Sequence, residues 1–370
     1  MEVIAYYLPQ YYPFEENNRW WGEGFTEWTN VGRAKPLYRG HYQPKVPSDL
    51  GYYDLRLNEV REKQAKLAVE AGVTGFCYWH YWFGNKKQLL DMPFDQVLKS
   101  KSPDLPFCLG WANESWKAKV WNSSGHSKDD KMLIEQTYPG NKDFEEHFKS
   151  LLPAFKDSRY MMKDDKPIFV IYKPLWLPDT KEFIKTWNKL AIENNFKNGI
   201  YFIGYSVDSS EIKSILSLGF DAVNIVRTGE HRFNKKVIKS IFFKLLKYKF
   251  FNKPLVLKYS YISKYFVQKD EIAENVFPTI IPNWDHTPRS SNKGVVFHDS
   301  NPENFKKHLE DVFGVVINKK PSNQIIFLKS WNEWGEGNYM EPDLKFGKKY
   351  IQTLKTVLGE YIKKNENGLI

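Results

Sequence analysis

The sequence predicts an α/β fold, specifically a single (β/α)8 barrel with long βα loops. Three observations lead there. Short apolar runs recur eight times along the 370 residues. Stretches with helical apolar spacing lie between most of them. Polar and aromatic residues crowd the point where nearly every run ends, which is where a barrel carries its site. No linker or shift of composition divides the chain, so residues 1–370 are read as one domain.

Strands are expected at residues 3–9, 72–82, 107–111, 167–173, 200–207, 221–226, 276–282 and 324–329. The first follows Met1 directly, with no basic region and long apolar stretch, so it reads as a strand and not a signal peptide. The helix expected over 57–71 carries Val60, Leu67, Ala68 and Ala71 at helical spacing and stops at Gly72. Others are expected at 144–155, 181–194, 209–218, 302–317 and 347–363. In the last, Tyr350, Leu354, Val357, Leu358 and Tyr361 form one apolar stripe.

Composition limits the function classes. Hydrophobic residues at 42% can fill a large core, and the 13 Trp, 22 Tyr and 26 Phe suit a carbohydrate-handling protein. No run approaches the ~18 apolar residues of a membrane span. Cys77 and Cys108, the only cysteines, sit in apolar runs. They read as reduced thiols of a cytoplasmic protein, and a disulfide framework is excluded. From Arg227 to Lys264 there are eleven Lys or Arg against one acid, Glu230, so this segment carries the chain's whole net charge of +10. The remainder is near neutral, which argues against a nucleic-acid partner. No metal or other cofactor is expected: the eight His are scattered, and neither a His-Glu-x-x-His nor a phosphate-cradling glycine motif occurs. A nucleotide-sugar transferase on a doubly wound fold would lack its usual signature.

The strand exits supply the candidate site. After the first come Tyr7 and Gln10, then a long loop with Trp21 and Glu27. The second ends in Trp79 and His80, the third in Trp111, Asn113 and Glu114, the fourth in Tyr172, the fifth in Tyr205. The seventh runs into Trp284, Asp285 and Arg289. The eighth delivers Trp331-Asn332-Glu333-Trp334-Gly335-Glu336-Gly337. Glu333 and Glu336 would point to opposite faces of a regular strand, but the glycines let the backbone turn and bring both to one cavity. Two carboxyl groups flanked by indoles suit glycosidic chemistry, one giving a proton while its neighbour acts as base or nucleophile. The plainer reading is a surface loop with two solvated acids. His80, among aromatics, is assigned to substrate binding and not to catalysis. Only one of Asn113 and Glu114 faces inward if the strand stays regular, and Glu114 is a rival to Glu336 as acid. Asp285 and Arg289 bind sugar groups or else pair with each other. Residues 233–251, which interleave Lys with Ile, Leu and Phe, form either the sixth outer helix or a segment lying on anionic lipid or an acidic glycan.

Several motifs now carry a resemblance. Tyr6-Tyr7-Leu8-Pro9-Gln10-Tyr11, Gly24-Phe25-Thr26-Glu27-Trp28, Gly40-His41-Tyr42-Gln43-Pro44 and Asp49-Leu50-Gly51-Tyr52-Tyr53-Asp54 resemble the WbsX-like family. So do Gly75-Phe76-Cys77-Tyr78-Trp79-His80-Tyr81-Trp82-Phe83, Trp111-Ala112-Asn113-Glu114 and Asn332-Glu333-Trp334-Gly335-Glu336-Gly337. These are glycoside hydrolase family 99-like proteins of bacterial surface-polysaccharide biosynthesis. The resemblance implies a (β/α)8 barrel and a metal-independent enzyme of O-antigen (lipopolysaccharide) or capsule assembly. It implies a retaining endo-acting α-mannoside-like hydrolase, with a glycosyltransferase, a transglycosylase or a non-catalytic glycan binder as alternatives. Glu333 would deprotonate the sugar 2-hydroxyl, and Glu336 would protonate the leaving oxygen. Tyr7, Gln10, Trp21, Glu27, Trp79, His80, Trp111, Asn113, Glu114, Tyr172, Tyr205, Trp284, Asp285, Arg289, Asn332 and Trp334 are the expected substrate contacts. The expected partner is an oligosaccharide or polysaccharide, free or lipid-linked. The expected place is the cytoplasm, peripheral to the inner membrane through 233–251.

Overall fold

The computed structural model describes residues 1–117 and 131–366. In chain order its barrel strands are β1 (Glu2–Tyr7), β2 (Gly75–Trp82), β3 (Phe107–Trp111), β4 (Lys166–Ile171), β5 (Tyr201–Ser206) and β6 (Ala222–Ile225). Then follow β7 (the segments Val276–Phe277 and Thr279–Ile280) and β8 (Ile325–Leu328). From β1 to β6 each pairs in parallel with the next, and β8 pairs with β1. β7 is split by Pro278, which has no N–H to give a ladder. Its first segment pairs with β6 and its second with β8, while the Pro278 carbonyl still accepts from the Phe327 N–H at 3.0 Å. The split strand closes a ring of eight, at the eight positions expected.

The strands are apolar because both faces are buried; β2, β3, β5 and β8 have no exposed residue. Alternation sorts their side chains into two layers. Inside, Tyr6 stacks on Trp79 at 4.6 Å and on Phe327 at 5.2 Å, and its hydroxyl donates to Asn224 Oδ1. Outside, the neighbouring Tyr7 donates to Gln64 of the helix Asn58–Ala71. That helix ends as expected at Gly72, whose φ of 90° needs glycine. Helices Asn141–Phe155, Thr180–Glu193, Pro302–Val316 and Lys349–Glu366 follow their apolar stripes. Residues 209–218 form only a 3-10 turn and the short helix Ile212–Ser217.

Between β6 and β7 the chain leaves the ring. Helices Lys235–Ser240 and Phe242–Phe251 lead to strand Leu255–Lys258, which pairs in parallel with Val295–His298. Together they enclose a second core that includes Val237, Ile241, Leu257, Tyr259 and Phe297. The basic segment is thus part of a satellite layer instead of an outer barrel helix. Arg227, its first cation, is buried and neutralised by Glu230, Asp270 and Glu271 at 2.6–3.0 Å.

Candidate functional site

β8 runs out into Lys329 and then a tight hairpin, Asn332–Glu333 pairing antiparallel with Asn338–Tyr339. Its tip is the 3-10 turn Trp334–Glu336, followed by Gly337 at φ 55°. The turn brings Glu333 and Glu336 to the same side. Gly335 is required by a close approach: a Cβ there would stand 1.9 Å from Glu27 Oε1. The hairpin is riveted from behind. Asn332 exchanges hydrogen bonds with the Leu8 backbone at 2.8 and 3.0 Å. Trp334 stacks on Tyr339 and donates to Glu341.

In front of the hairpin is a cavity of about 310 Å³ at the C-terminal ends of the strands. Of the expected residues, Gln10, Trp21, Glu27, Trp79, Glu114, Tyr172, Arg289, Glu333 and Glu336 line it. Arg289 is its electrostatic centre. Its Nε and NH2 donate to the two oxygens of Glu27 at 2.9 and 3.0 Å. Its NH1 meets Glu333 Oε1 at 3.0 Å and Glu336 Oε1 at 2.8 Å. Lys329 Nζ lies 3.6 Å from Glu333 and 3.9 Å from Glu336, and His286 Nε2 lies 3.5 Å from Glu336.

This arrangement separates the two acids. Burial, and then the charge of Glu336, push the Glu333 carboxyl above the usual range. Glu336 is pushed up by burial as well, but Arg289, the His286 hydrogen bond and Lys329 outweigh that and hold it well below. Lys329 and Arg289 keep their charge against burial through the same carboxylates.

Nine expected contacts lie elsewhere. Tyr7 faces the outer helices, and His80 follows it: its ring bonds His147 at 2.9 Å, and burial pushes its pKa down to about 3. Trp111 also points outward, its Nε1 donating to the Trp82 carbonyl. Asn113 is fully buried and ties Lys173 and Tyr138. Tyr205 sits beneath Trp79 and Tyr172 inside the barrel. Trp284 stands behind Lys329, whose Nζ is 5.5 Å from its ring centre. Asn332 and Trp334 are the buried anchors of the hairpin. Asp285 does not pair with Arg289. It is saturated by His41 Nε2, Gln43 Nε2, the Thr287 N–H and the Thr287 hydroxyl at 2.6–3.0 Å. Those bonds hold it below the usual range despite burial.

Sequence reasoning missed Tyr81, Lys329 and His286 in the lining. Tyr81 has the strand parity of Trp79, so alternation alone would have chosen it over His80. Lys329 is the last residue of the expected eighth strand, two beyond the inward Phe327. His286 carried no separate signal.

The glycosyltransferase WbsX family model matches residues 3–354. The chain belongs to this family. Two proteins called uncharacterized protein WxcX, from two strains of Xanthomonas campestris pv. campestris, are 34% and 33% identical over 362 residues, 96% of this chain. This WbsX-family chain spans about half the length of those curated relatives, 49%. Among solved structures, the GH99 endo-alpha-mannosidase from Bacteroides thetaiotaomicron matches with TM-score 0.59 at 15% identity, covering 99% of this chain and 98% of that one. Its complex with bis-tris-propane gives 0.61 at the same coverage. A glycoside hydrolase-like protein gives 0.59 at 16% identity, covering 97% and 93%. At these identities the likeness establishes the barrel fold.

Proposed function

We propose that this WbsX-family barrel is a glycan-active enzyme, a retaining endo-acting hydrolase of α-mannoside-like linkages in a surface oligosaccharide or polysaccharide. Its substrate is carried on a lipid at the cytoplasmic face of the inner membrane. The observation that carries the reading is the convergence of two carboxylates, Glu333 buried and Glu336 partly buried, on one guanidinium nitrogen in the strand-end cavity. With contacts of 3.0 and 2.8 Å to one nitrogen, the two Oε1 atoms lie at most about 6 Å apart, short of the ~6.5–9.5 Å that inverting pairs need to seat a water.

Burial and the charge of Glu336 raise the proton affinity of Glu333, which makes it a stronger base than an ordinary carboxylate. Glu333 takes the proton of the sugar 2-hydroxyl as O2 attacks C1 and the bond to the leaving oxygen breaks, forming a 1,2-anhydro sugar, and it returns that proton to O2 when the ring is opened. Glu336 gives a proton to the departing oxygen and then takes one from the water that opens the anhydro ring. Two inversions at C1 leave the configuration retained. Trp21, Trp79 and Trp116 supply flat apolar faces for sugar rings.

One feature favours a second assignment of the acid. Glu336 is held ionised by Arg289 and must acquire a proton before it can donate one. Glu114 lines the same cavity and is the alternative donor. An aryl α-mannoside with an acidic leaving group separates the two. The variant lacking the true acid loses activity on a natural oligosaccharide but keeps it on the aryl glycoside. E336Q is expected to behave so; E114Q doing so instead transfers the role to Glu114. The family's glycosyltransferase name favours a second fate for the intermediate, opening by a sugar hydroxyl in place of water, which acceptor-elongated products would reveal.

A further inference from the structure

Helix Phe242–Phe251 has two apolar faces, and only one is covered. Leu245 and Tyr248 pack on the satellite core, where the Tyr248 hydroxyl donates to the Lys293 carbonyl at 2.8 Å. Phe243, Leu246 and Phe250, at i, i+3 and i+7, form a different stripe. Phe243 and Phe250 are 77% and 72% exposed. Phe242 and Phe251 at the helix ends, and Phe233 just before, are exposed too; every exposed phenylalanine among the described residues is in this segment. An apolar cluster of this kind marks a contact surface. Lys235, Lys236, Lys239, Lys249 and Lys253, on this helix and the segments flanking it in sequence, are all exposed, and no acidic residue occurs from 231 to 264.

We propose that this face docks on an anionic lipid bilayer, with the phenylalanines entering the boundary between headgroups and acyl chains and the lysines on anionic headgroups. A second copy of the chain is a poor occupant, because the contact would press two strongly positive faces together. A soluble polyanion would neutralise the lysines but offer the phenylalanines no apolar phase. The satellite layer is bonded to the site loop: the His286 N–H donates to the Val295 carbonyl at 3.1 Å, and the Phe297 N–H to the Trp284 carbonyl at 2.8 Å. Docking therefore holds the β7 side of the cavity near the membrane.

The test is sedimentation of the full chain with neutral phosphatidylcholine vesicles and with vesicles about one third phosphatidylglycerol, at low and high salt. Binding is expected to the anionic vesicles alone and to fall at high salt. The triple variant K235Q/K236Q/K239Q should lower partitioning on the order of 100-fold. F243S/F250S should lower it about tenfold or more. Each variant should keep the parent's circular dichroism. No binding, equal binding to both vesicle types, or binding that survives both variants overturns the proposal. Binding to a polyuronate resin that needs the lysines but not the phenylalanines, without vesicle binding, reassigns the surface to an acidic glycan.

Discussion

Replacing Arg289 by Met removes the cation on which Glu27, Glu333 and Glu336 converge. Methionine fills much of the stem's volume but bonds none of the carboxylates, which leaves Lys329 as the main counter-charge. Only 17% of the Arg289 side chain is exposed, so solvent does little to replace it. Breaking a buried ion pair costs about 3–5 kcal/mol. With about 2.1 cal/mol/K of unfolding entropy per residue, that corresponds to a fall in Tm of about 4–6 °C for a chain of this length.

The size of the fall depends on pH. In the parent, the depressed Glu336 stabilises the fold at all pH values above the ordinary carboxylate range, and this is lost only as pH drops through its lowered folded value. Without Arg289 that contribution disappears. Glu333, already raised, rises further. A carboxyl with a raised folded value weighs against folding above its unfolded pKa, and this burden is relieved as acid protonates it. The deficit of R289M should therefore be largest near about pH 8 and shrink towards about pH 5. Thermal unfolding of both proteins, followed by circular dichroism across that range, measures it. A deficit below about 1 °C at the alkaline end, or one that grows as pH falls, would refute the electrostatic account.

Two further outcomes follow from the residues behind the site. D285N turns an acceptor of four hydrogen bonds into one presenting an N–H₂ to the donors of His41 and Gln43. Urea unfolding should show a loss of about 1–3 kcal/mol, and kcat should fall more than KM rises, because Asp285 supports the turn that presents His286 and Arg289. Glu341, pushed up to about 7 by burial, should make the parent lose roughly 3 kcal/mol of stability between its unfolded value and neutrality. E341Q should abolish that slope in a pH series of Tm values.

The barrel was legible because its strands are buried on both faces and read as unbroken apolar runs. The helices were legible where a full stripe was present, as in the last one with Tyr350, Leu354 and Leu358. Helix Met92–Ser100 was missed because nine residues with Pro93 in the first turn give too short a pattern. The satellite layer was missed because its two four-residue strands, Leu255–Lys258 and Val295–His298, lie far apart in sequence. At the site, the motif located Glu333 and Glu336, and the glycines explained the turn. Arg289 as a shared counter-ion needed the structure, since its partners come from two segments far from it in sequence, Glu27 after the first strand and the Glu333–Glu336 hairpin after the eighth. His80 and Trp111 were chosen for their chemistry at a strand exit, but alternation turns each to the outer layer.

The most direct test of the central claim is the fate of an α-linked mannose oligosaccharide given to the parent, E333Q and E336Q, with product anomers followed by NMR from the first minutes. The account predicts internal cleavage by the parent with the α configuration retained. It predicts a loss of at least ~10²-fold in each variant, as expected for general acid–base groups, with folding preserved. Cleavage with inversion, or variants as active as the parent, would contradict it.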